Sequence, residues 1–172
     1  AVAGLLVAVA VRAQADAENL ARGRPYTFSA PPDYGLCTDA GDATDLTDGR
    51  RTTAPDAMFW GDKGCVGWGG GRNGVSITVD LGQRCPIAGA AYCTAAGSAD
   101  VVFPAAIHVL VSDDGETFYA AGELLRGSAS PLPPPYGTYA VRKIETRGLR
   151  TTGRYVRFAV APTHSYVFVD EL

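Results

Sequence analysis

The chain has 172 residues, which is enough for one domain with a single core and too few for two of ordinary size. Apolar residues make up 47% and charged residues 19%, which excludes a disordered chain, and the net charge of −3 argues against a nucleic-acid partner. The 21 glycines and 11 prolines separate short runs rich in Val, Thr, Tyr and Phe, a composition that favours many short strands.

The first 15 residues, AVAGLLVAVAVRAQA, are an apolar run that ends in a small-x-small pattern. This pattern is typical of a secretory signal that is cleaved before Asp16. A membrane anchor needs about twenty apolar residues, and Arg12 interrupts this run. We therefore predict a signal peptide over 1–15, a domain over 16–172, and bacterial-type export to the medium or the cell surface. We also expect a larger precursor, with further domains fused beyond residue 172.

Alternation of apolar and polar residues predicts about eight antiparallel strands and no long helix. Such a set of short strands indicates an all-β domain folded as a two-sheet jelly roll or sandwich. His108 lies within a strand, so we interpret it as a residue of the sheet face, and we interpret Trp60 as a core residue. The predicted strands are 24–29, 75–81, 86–95, 105–112, 117–124, 138–146, 154–160 and 166–171.

The acidic pair Asp113-Asp114 lies between two alternating runs and is followed by Gly115. Asp-Gly at such a place is a strong hairpin signal, because the turn needs a positive φ that glycine adopts freely. Two adjacent carboxylates in a turn diverge and stay solvated. We therefore predict a hairpin corner here and not a pair for acid–base catalysis.

Four cysteines allow three fully paired disulfide arrangements. If 86–95 is one strand, Cys85 and Cys93 lie about 25 Å apart, which is far beyond the reach of a disulfide. A bond between Cys37 and Cys65 would join two loops. Four free thiols remain the alternative, and the absence of a C-x-x-C or Cys/His cluster in the sequence argues against zinc.

The predicted strands also place the loops. If successive strands run antiparallel, their connections alternate between the two ends of the sandwich, so the short connections 82–85, 113–115 and 148–153 share one end. Function concentrates on loops that a rigid scaffold holds, so we expect a binding site at the opposite end. That end collects the longer connections 61–74, 96–104, 125–137 and 161–165.

Five segments stand out in order along the chain: NLARGRP (19–25), LTDGRRTT (46–53), ITVDLG (77–82), VLVSDDGETF (109–118) and GRYVRFAV...YVFVDEL (153–172). Together they resemble the discoidin domain, also called the coagulation factor 5/8 type C domain, over nearly all of 16–172. The resemblance implies a galactose-binding-like β-sandwich and, among secreted bacterial proteins, a carbohydrate-binding module attached to a glycoside hydrolase. We therefore expect a noncatalytic glycan-binding accessory domain of a larger glycan-active protein.

The sugar site of that family lies in loops at one end, which agrees with the long-loop end. Sugars stack their apolar faces on aromatic rings and bond through their hydroxyls to polar side chains. We expect His164 to donate to an axial hydroxyl and Trp68 or Tyr136 to form the stacking platform. Alternatively, Trp68 is a core residue and His164 contacts only water. The candidate ligand-binding residues are Trp68, Arg72, Asn73, Phe103, Tyr136 and His164.

The resemblance also implies a structural calcium ion between the loop after the first strand and the acidic end of the last strand. Ca²⁺ takes six to eight oxygen ligands. Asp48 and Glu171 would offer carboxylates, and Thr53 a hydroxyl or a carbonyl. Leu46 and Arg50 would offer backbone carbonyls, although Arg50 stands where the family more often has Asp or Asn. A solvated Glu171 beside a simple Asp48-Gly49 turn is the alternative.

Two other function classes remain open. A small secreted glycan-active enzyme would need two carboxylates about 5 to 10 Å apart across a cleft, with Asp39, Asp42, Asp62 or Asp100 as candidates. With two histidines and no G-x-S-x-G, H-E-x-x-H or phosphate-loop motif, the sequence predicts no enzyme. A protein or lipid adhesion module would expose apolar side chains on the long loops, and 100–104 (DVVFP) is the candidate segment.

Overall fold

The computed structural model describes residues 18–52, 58–128 and 138–172. The predicted signal peptide, Thr53 and Tyr136 lie outside these residues. No helix within the described ranges is long and apolar enough to cross a membrane. The strands are β1 (Tyr26–Phe28), β2 (Val66–Trp68), β3 (Val75–Ala96), β4 (Ala106–Ser112), β5 (Tyr119–Glu123), β6 (Ala140–Ala161) and β7 (Val167–Val169), beside the short helix α1 (Leu124–Gly127) and the 3-10 turns Ala40–Ala43, Asp45–Thr47, Phe59–Gly61 and Gly71–Asn73.

The described strands form two antiparallel sheets. A five-stranded sheet has the order β1-β3-β6-β4-β5, and a two-stranded sheet pairs β2 with β7. A single bridge between Cys93 of β3 and Glu171 connects the end of β7 to the long strand β3. The prediction of an all-β sandwich is confirmed.

In two places, two predicted strands form one continuous strand, which corrects the sequence prediction. The predictions 75–81 and 86–95 both belong to β3, and 138–146 and 154–160 both belong to β6. β3 pairs with β6 along its whole length, with register shifts between Asp80 and Cys85 and again between Ile87 and Gly89. The segments 82–85 and 148–153 therefore lie within continuing strands, at or next to these irregularities, and the assumption that direction reverses at each of them is wrong.

The main core lies on one face of the five-stranded sheet and comes from strand alternation. Ile107 and Val109 are fully buried and Val111 is nearly so, whereas His108 between them is exposed, as a sheet-face residue should be. The first part of β3 repeats the pattern with buried Val75, Ile77, Val79 and Leu81. Apolar positions two residues apart thus give one continuous aliphatic face.

A second buried group, which we call the aromatic cluster, lies under the loops between the sheets. Its buried members come from loops and strand ends, and three partly buried tyrosines pack against them. The cluster contains Trp60, which confirms the interpretation of this residue as core. Its buried members are Cys37, Phe59, Trp60, Cys65, Ala95, Val101 and Phe168, and the tyrosines are Tyr34, Tyr139 and Tyr166.

The Asp113-Asp114 corner closes the hairpin between β4 and β5. One carboxylate oxygen of Asp114 accepts hydrogen bonds from the Glu116 and Thr117 amides, each 2.8 Å long, and from the Ser112 hydroxyl. These bonds lower the pKa of Asp114 to about 2. Asp113 instead pairs with Arg84, at 3.1 Å between Oδ1 and Nε. The two carboxylates serve separate structural contacts, so the corner interpretation is confirmed.

Candidate functional site

Three loops meet at the end of the five-stranded sheet where β3 begins and β6 ends. Register pairs Val75 with Val160, and Ala106 with Ala161, so both strand starts lie beside the end of β6. The turn Gly71–Asn73 precedes β3, the segment 97–105 leads into β4, and 162–166 follows β6. These loops belong to the predicted long-loop end, although the reversals of direction that the prediction assumed at 82–85 and 148–153 do not occur.

Polar side chains connect the three loops. Nε of Arg72 donates to Oγ of Ser165 over 2.9 Å. His164, next to Ser165, places its Nδ1 3.3 Å from Oδ1 of Asp100. The Thr163 hydroxyl donates to the Phe103 carbonyl over 2.7 Å and fastens loop 162–166 to segment 97–105. The predicted residues Arg72 and His164 are thus brought together with Ser165 and Asp100.

Asp100 stands at the tip of a strained turn. The Val101 amide donates to the Ser98 carbonyl over 2.9 Å, and the two residues between them, Ala99 and Asp100, have φ values of 52° and 60°. Positive φ at both central residues is the mark of a type I′ turn, which Asn and Gly usually occupy. An alanine in this conformation costs about 1–2 kcal/mol, so the surrounding structure holds the turn that presents Asp100.

Two partly buried tyrosine rings are linked to the polar group through loop 162–166. Tyr166, which follows Ser165, stacks on Phe168 with ring centroids 6.0 Å apart and an interplanar angle of 17°. Tyr34 meets Tyr166 edge-on, with centroids 5.8 Å apart, and meets Phe168 edge-on at 4.8 Å. Burial, reinforced by Tyr166, raises the pKa of Tyr34. Neither tyrosine was a predicted site residue. We define the loop-end cluster as Tyr34, Arg72, Asp100, His164, Ser165 and Tyr166.

The backbone around Tyr34 is held by strand β2. The amides of Asp33 and Tyr34 both donate to the Gly67 carbonyl over 3.1 Å, and the Asp33 carboxylate accepts from the Gly69 amide over 2.7 Å. A side chain at Gly69 would begin within 3.5 Å of the Tyr34 ring. Contacts of Asp33 and Tyr34 with the glycine-rich segment 67–71 therefore fix the position of the Tyr34 ring.

The other predicted ligand-binding residues have different places. Trp68 is 2% exposed, packs edge-on against Phe28 at 5.2 Å, and donates from Nε1 to the Ala30 carbonyl over 2.9 Å. Its indole therefore offers no open face for stacking, and the alternative of a core residue applies. Phe103 is buried as well, whereas Asn73 is exposed beside Arg72. Tyr136 lies outside the described residues.

The segment 100–104 does not have the exposed apolar character that the adhesion hypothesis needs. Val101, Val102 and Phe103 are between 4% and 6% exposed. Val101 belongs to the aromatic cluster, and Phe103 belongs to the main core. The apolar residues of DVVFP therefore hold the loop on the protein, and the expectation that they project into solvent is wrong.

The described residues that the resemblance assigns to calcium lie close to the C-terminal end of the chain. The Leu46 carbonyl accepts from the Leu172 amide over 3.0 Å. Oε2 of Glu171 accepts from the Gly49 amide over 3.2 Å, and Oε1 accepts from the Asn19 side chain over 3.4 Å. Glu171 is thus fixed against the loop that carries Asp48.

The carboxylates grouped around Glu171 fit a cation. Burial, together with the nearby carboxylates of Asp48 and Asp170 and against the opposing Gly49 hydrogen bond, raises the pKa of Glu171 to about 7. Asp170 is 1% exposed, and its Oδ1 has no hydrogen-bond partner among the described residues. Arg50 extends its side chain into solvent, with Nε 3.8 Å from Asp48, so it can offer only its carbonyl.

Three further carboxylates lie together on the 3-10 turns near residue 40. Asp39, Asp42 and Asp45 follow at three-residue spacing, which places side chains on one side of a 3-10 helix. Their nearest oxygens all lie within 4.8 Å of one another, a spacing that could hold a metal ion. Burial raises the pKa values of Asp42 and Asp45. The carboxylates share one short segment and do not face each other across a cleft, so they do not form the pair that the enzyme hypothesis needs.

The remaining enzyme candidates also have structural partners. Oδ1 of Asp62 accepts from the Gly64 amide over 2.9 Å, and Asp100 contacts His164 as described above. Each of these acids therefore has a role in a turn or in a loop contact.

Comparison with known proteins identifies the fold. No family profile and no curated protein sequence matches the chain. A chitosan-binding module of the chitosanase/glucanase from Paenibacillus sp. IK-5 is similar, with 17% identity, a TM-score of 0.56, and coverage of 90% of this chain and 96% of that one. A Streptococcus pneumoniae fucose-binding module has 16% identity, a TM-score of 0.56, and coverage of 90% and 92%.

A third solved structure is a CBM32 module of Clostridium perfringens in complex with GalNAc-β-1,3-galactose. It has 16% identity, a TM-score of 0.51, and coverage of 87% of this chain and 92% of that one. These likenesses extend over nearly all of both chains, while the sequence identities are low. The chain therefore has the discoidin-like, galactose-binding-like β-sandwich fold that these carbohydrate-binding modules share, which confirms the fold that the resemblance implied.

Proposed function

We propose that this chain is a noncatalytic glycan-binding module and that the loop-end cluster is its sugar site. The observation that carries the proposal is that loop 162–166 contacts Arg72 through Ser165 and Asp100 through His164, and so joins three loops. The same loop ends at Tyr166, whose ring Tyr34 contacts. A guanidinium, a carboxylate and an imidazole offer both donors and acceptors to sugar hydroxyls. The partly exposed rings offer apolar surface for the C–H face of a sugar.

The three similar solved structures support glycans as the class of ligand. The three similar structures are described as binding chitosan, fucose and a GalNAc-galactose disaccharide. These ligands differ, while the fold is shared, so the fold supports glycan binding without choosing the sugar. A shallow site that contacts one or two sugar rings binds weakly, and we expect a free energy of about −4 to −5 kcal/mol, or a high-micromolar to millimolar Kd.

We also propose a structural calcium ion held by Asp48 and Glu171, with backbone carbonyls of Leu46 and Arg50 and an oxygen of Thr53 as further ligands. The buried Glu171, whose pKa is raised by burial and by neighbouring carboxylates, supports this assignment. A bound divalent cation would neutralise these carboxylates. The predicted secretion and the attachment to a larger glycan-active protein complete the proposal, and they rest on the apolar segment 1–15 and on the discoidin resemblance.

A glycan array on residues 16–172, with and without EDTA, tests the ligand class and the calcium dependence together. The site assignment needs calorimetric titration of the best glycan against single variants. We expect Tyr166→Ala and Arg72→Ala each to weaken binding by about tenfold, which corresponds to about 1.4 kcal/mol.

The matched control is Tyr119→Ala, because Tyr119 is 67% exposed on β5 and pairs with Val111 near the hairpin corner, away from the loop-end cluster. Its affinity should equal that of the parent. Equal binding by the parent, Tyr166→Ala and Arg72→Ala would contradict the site assignment. Failure of the array to show any bound glycan would contradict the proposed function.

A further inference from the structure

Two of the four cysteines face each other inside the aromatic cluster. Cys37 and Cys65 are both 0% exposed and both belong to the aromatic cluster, and the interaction between their side chains lowers the pKa of Cys37. A Cβ atom placed at Gly67 would come within 2.8 Å of the Cys37 sulfur. Cys65 immediately precedes β2 and lies two residues before Gly67. The Cys37 side chain therefore packs against β2 close to Cys65 in the chain.

The other two cysteines have no such arrangement. Cys85 and Cys93 both lie on β3, eight residues apart, which at about 3.3 Å per residue exceeds the reach of a disulfide. The Cys85 sulfur is partly exposed and lies 3.9 Å from the Gly153 carbonyl, while Cys93 is buried on the second half of β3. Geometry thus separates one facing pair from two single thiols.

We propose that Cys37 and Cys65 form a disulfide when the chain folds in an oxidising environment, and that Cys85 and Cys93 remain thiols. The oxidant is an external disulfide, either a small molecule or a thiol oxidoreductase. The thiolate of one cysteine attacks it, one external thiol leaves, and the second cysteine then attacks the mixed disulfide and releases the other external thiol. The protein loses two protons and two electrons, and the external disulfide gains them.

The bond forms while the chain folds. Both sulfurs are enclosed in the folded domain, so an external disulfide has little access to either of them after folding. Once formed, the bond is protected from reductants by the same enclosure. We therefore expect oxidation during folding to be fast and reduction of the native protein to be slow.

The bond would close the segment 37–65, which carries Asp48 and the acidic 3-10 turns. It would also secure Tyr34, because the Cys37 amide donates to the Tyr34 carbonyl over 3.1 Å. Any effect on sugar binding rests on the proposed function, whereas the existence of the bond does not. A chain that forms the bond but binds no glycan would leave this inference intact.

The test uses the whole chain, unfolded and reduced and then refolded with reduced and oxidised glutathione. Alkylation of remaining thiols and peptide mapping by mass spectrometry should show a Cys37–Cys65 linkage, a mass lower by about 2 Da from two lost hydrogens, and alkylation at Cys85 and Cys93. Four alkylated cysteines, or a bond that uses Cys85 or Cys93, would overturn the inference.

A double variant gives a second readout that does not depend on removing the proposed bond. Cys85→Ser with Cys93→Ser should still form the linkage and should lose its reactivity toward alkylating agents. In the parent chain, reduction after unfolding should lower the Tm by roughly 10 °C, as expected when a loop of about 29 residues is released. The variant with Cys37→Ser and Cys65→Ser should show no Tm change with reductant, and a change of the parent's size there would also overturn the inference.

Discussion

The main core and the aromatic cluster differ in how they are built. The main core is mostly aliphatic and comes mainly from strands whose apolar residues alternate, such as Ile107 and Val109. The aromatic cluster comes from loop segments and strand ends, and Phe168 has contacts with Trp60, Tyr34 and Tyr166. Backbone pairing between strands therefore positions the main core, and side-chain packing around a few rings positions the aromatic cluster.

The two regions should therefore respond differently to mutation. A change in the main core should act mainly on the free energy of unfolding, because the contacts of the loop-end cluster described above join its own members and the aromatic cluster. A change in the aromatic cluster should act on both stability and binding, because Tyr34 and Tyr166 pack on it. The predictions below test this separation.

Phe168→Ala should have the largest effect. Loss of the ring on which both tyrosines pack should destabilise the domain by about 3–5 kcal/mol and weaken sugar binding by the protein that remains folded. Urea unfolding and calorimetric titration measure the two effects. Phe158→Ala is the matched control, because Phe158 is 4% exposed in the main core. It should cost similar stability and leave affinity unchanged, and equal affinity losses in both variants would contradict the separation.

Trp68→Phe should reduce stability by about 2 kcal/mol, because the smaller ring loses the bond to the Ala30 carbonyl and leaves space in the core. The affinity of the folded variant should not change, since the indole has no open face. Chemical denaturation and titration with the best glycan check both statements. Tenfold weaker binding by a fully folded Trp68→Phe protein would show that the buried ring does influence the site.

Ala99→Gly should stabilise the domain by about 0.5–1 kcal/mol, because glycine adopts the positive φ of this turn without the strain of a Cβ atom. The turn should still present Asp100, so affinity should be retained. Ala105→Gly is the control, since Ala105 is exposed and does not have a positive φ. There the added freedom of the unfolded chain should reduce stability, and a gain in both variants would argue against turn strain.

The smallest effect should come from the Asp80–Arg154 pair at the bulge of β3. Two hydrogen bonds of 2.8 and 2.7 Å from the Arg154 guanidinium lower the pKa of Asp80. A lowered folded-state pKa stabilises the protein above the ordinary carboxyl pKa, and this contribution disappears as the pH falls through the folded-state value. The urea midpoints of the parent and Asp80→Asn should therefore differ at pH 7 and converge near pH 2.

Asp113→Asn is the control for this pH effect, because the Asp113–Arg84 pair is more than half exposed on both sides. Its urea midpoint should match that of the parent at both pH values. Since Asp80 belongs to the five-stranded sheet, sugar binding at pH 7 should be the same in the parent, Asp80→Asn and Asp113→Asn. A midpoint difference for Asp80→Asn that persists at pH 2 would contradict the pKa argument.

The strands were predictable where their pattern is local. The alternation through Ile107 and Val111 and the turn at Gly115 lie within one short stretch, and the hairpin they predict is confirmed. β3 was divided wrongly for an equally physical reason. Gly82 and Gly115 have nearly the same φ, 82° and 80°, yet the first lies in a bulge and the second in a hairpin. The partner that distinguishes the two cases, β6, is distant in the sequence.

The sequence predicted the kinds of residue in the loop-end cluster, but only some of the residues themselves. Arg72 and His164 are polar residues on loops, and loops of this kind meet wherever strands share an end. Trp68 and Tyr166 both flank loops, but Trp68 turns inward to Phe28 and Tyr166 lies partly exposed on Phe168. The side to which an aromatic ring turns depends on neighbours that no single stretch of sequence contains.

The continuous pairing of β3 with β6 has a consequence for how the chain folds. Residues 75–96 can pair with residues 140–161 only after the latter have been synthesised. A long loop must therefore close before the contacts of the largest strand interface can form. On a ribosome, β3 leaves the exit tunnel well before its main neighbour exists. We therefore expect slow, late assembly, with an unpaired and apolar β3 available to chaperones during synthesis.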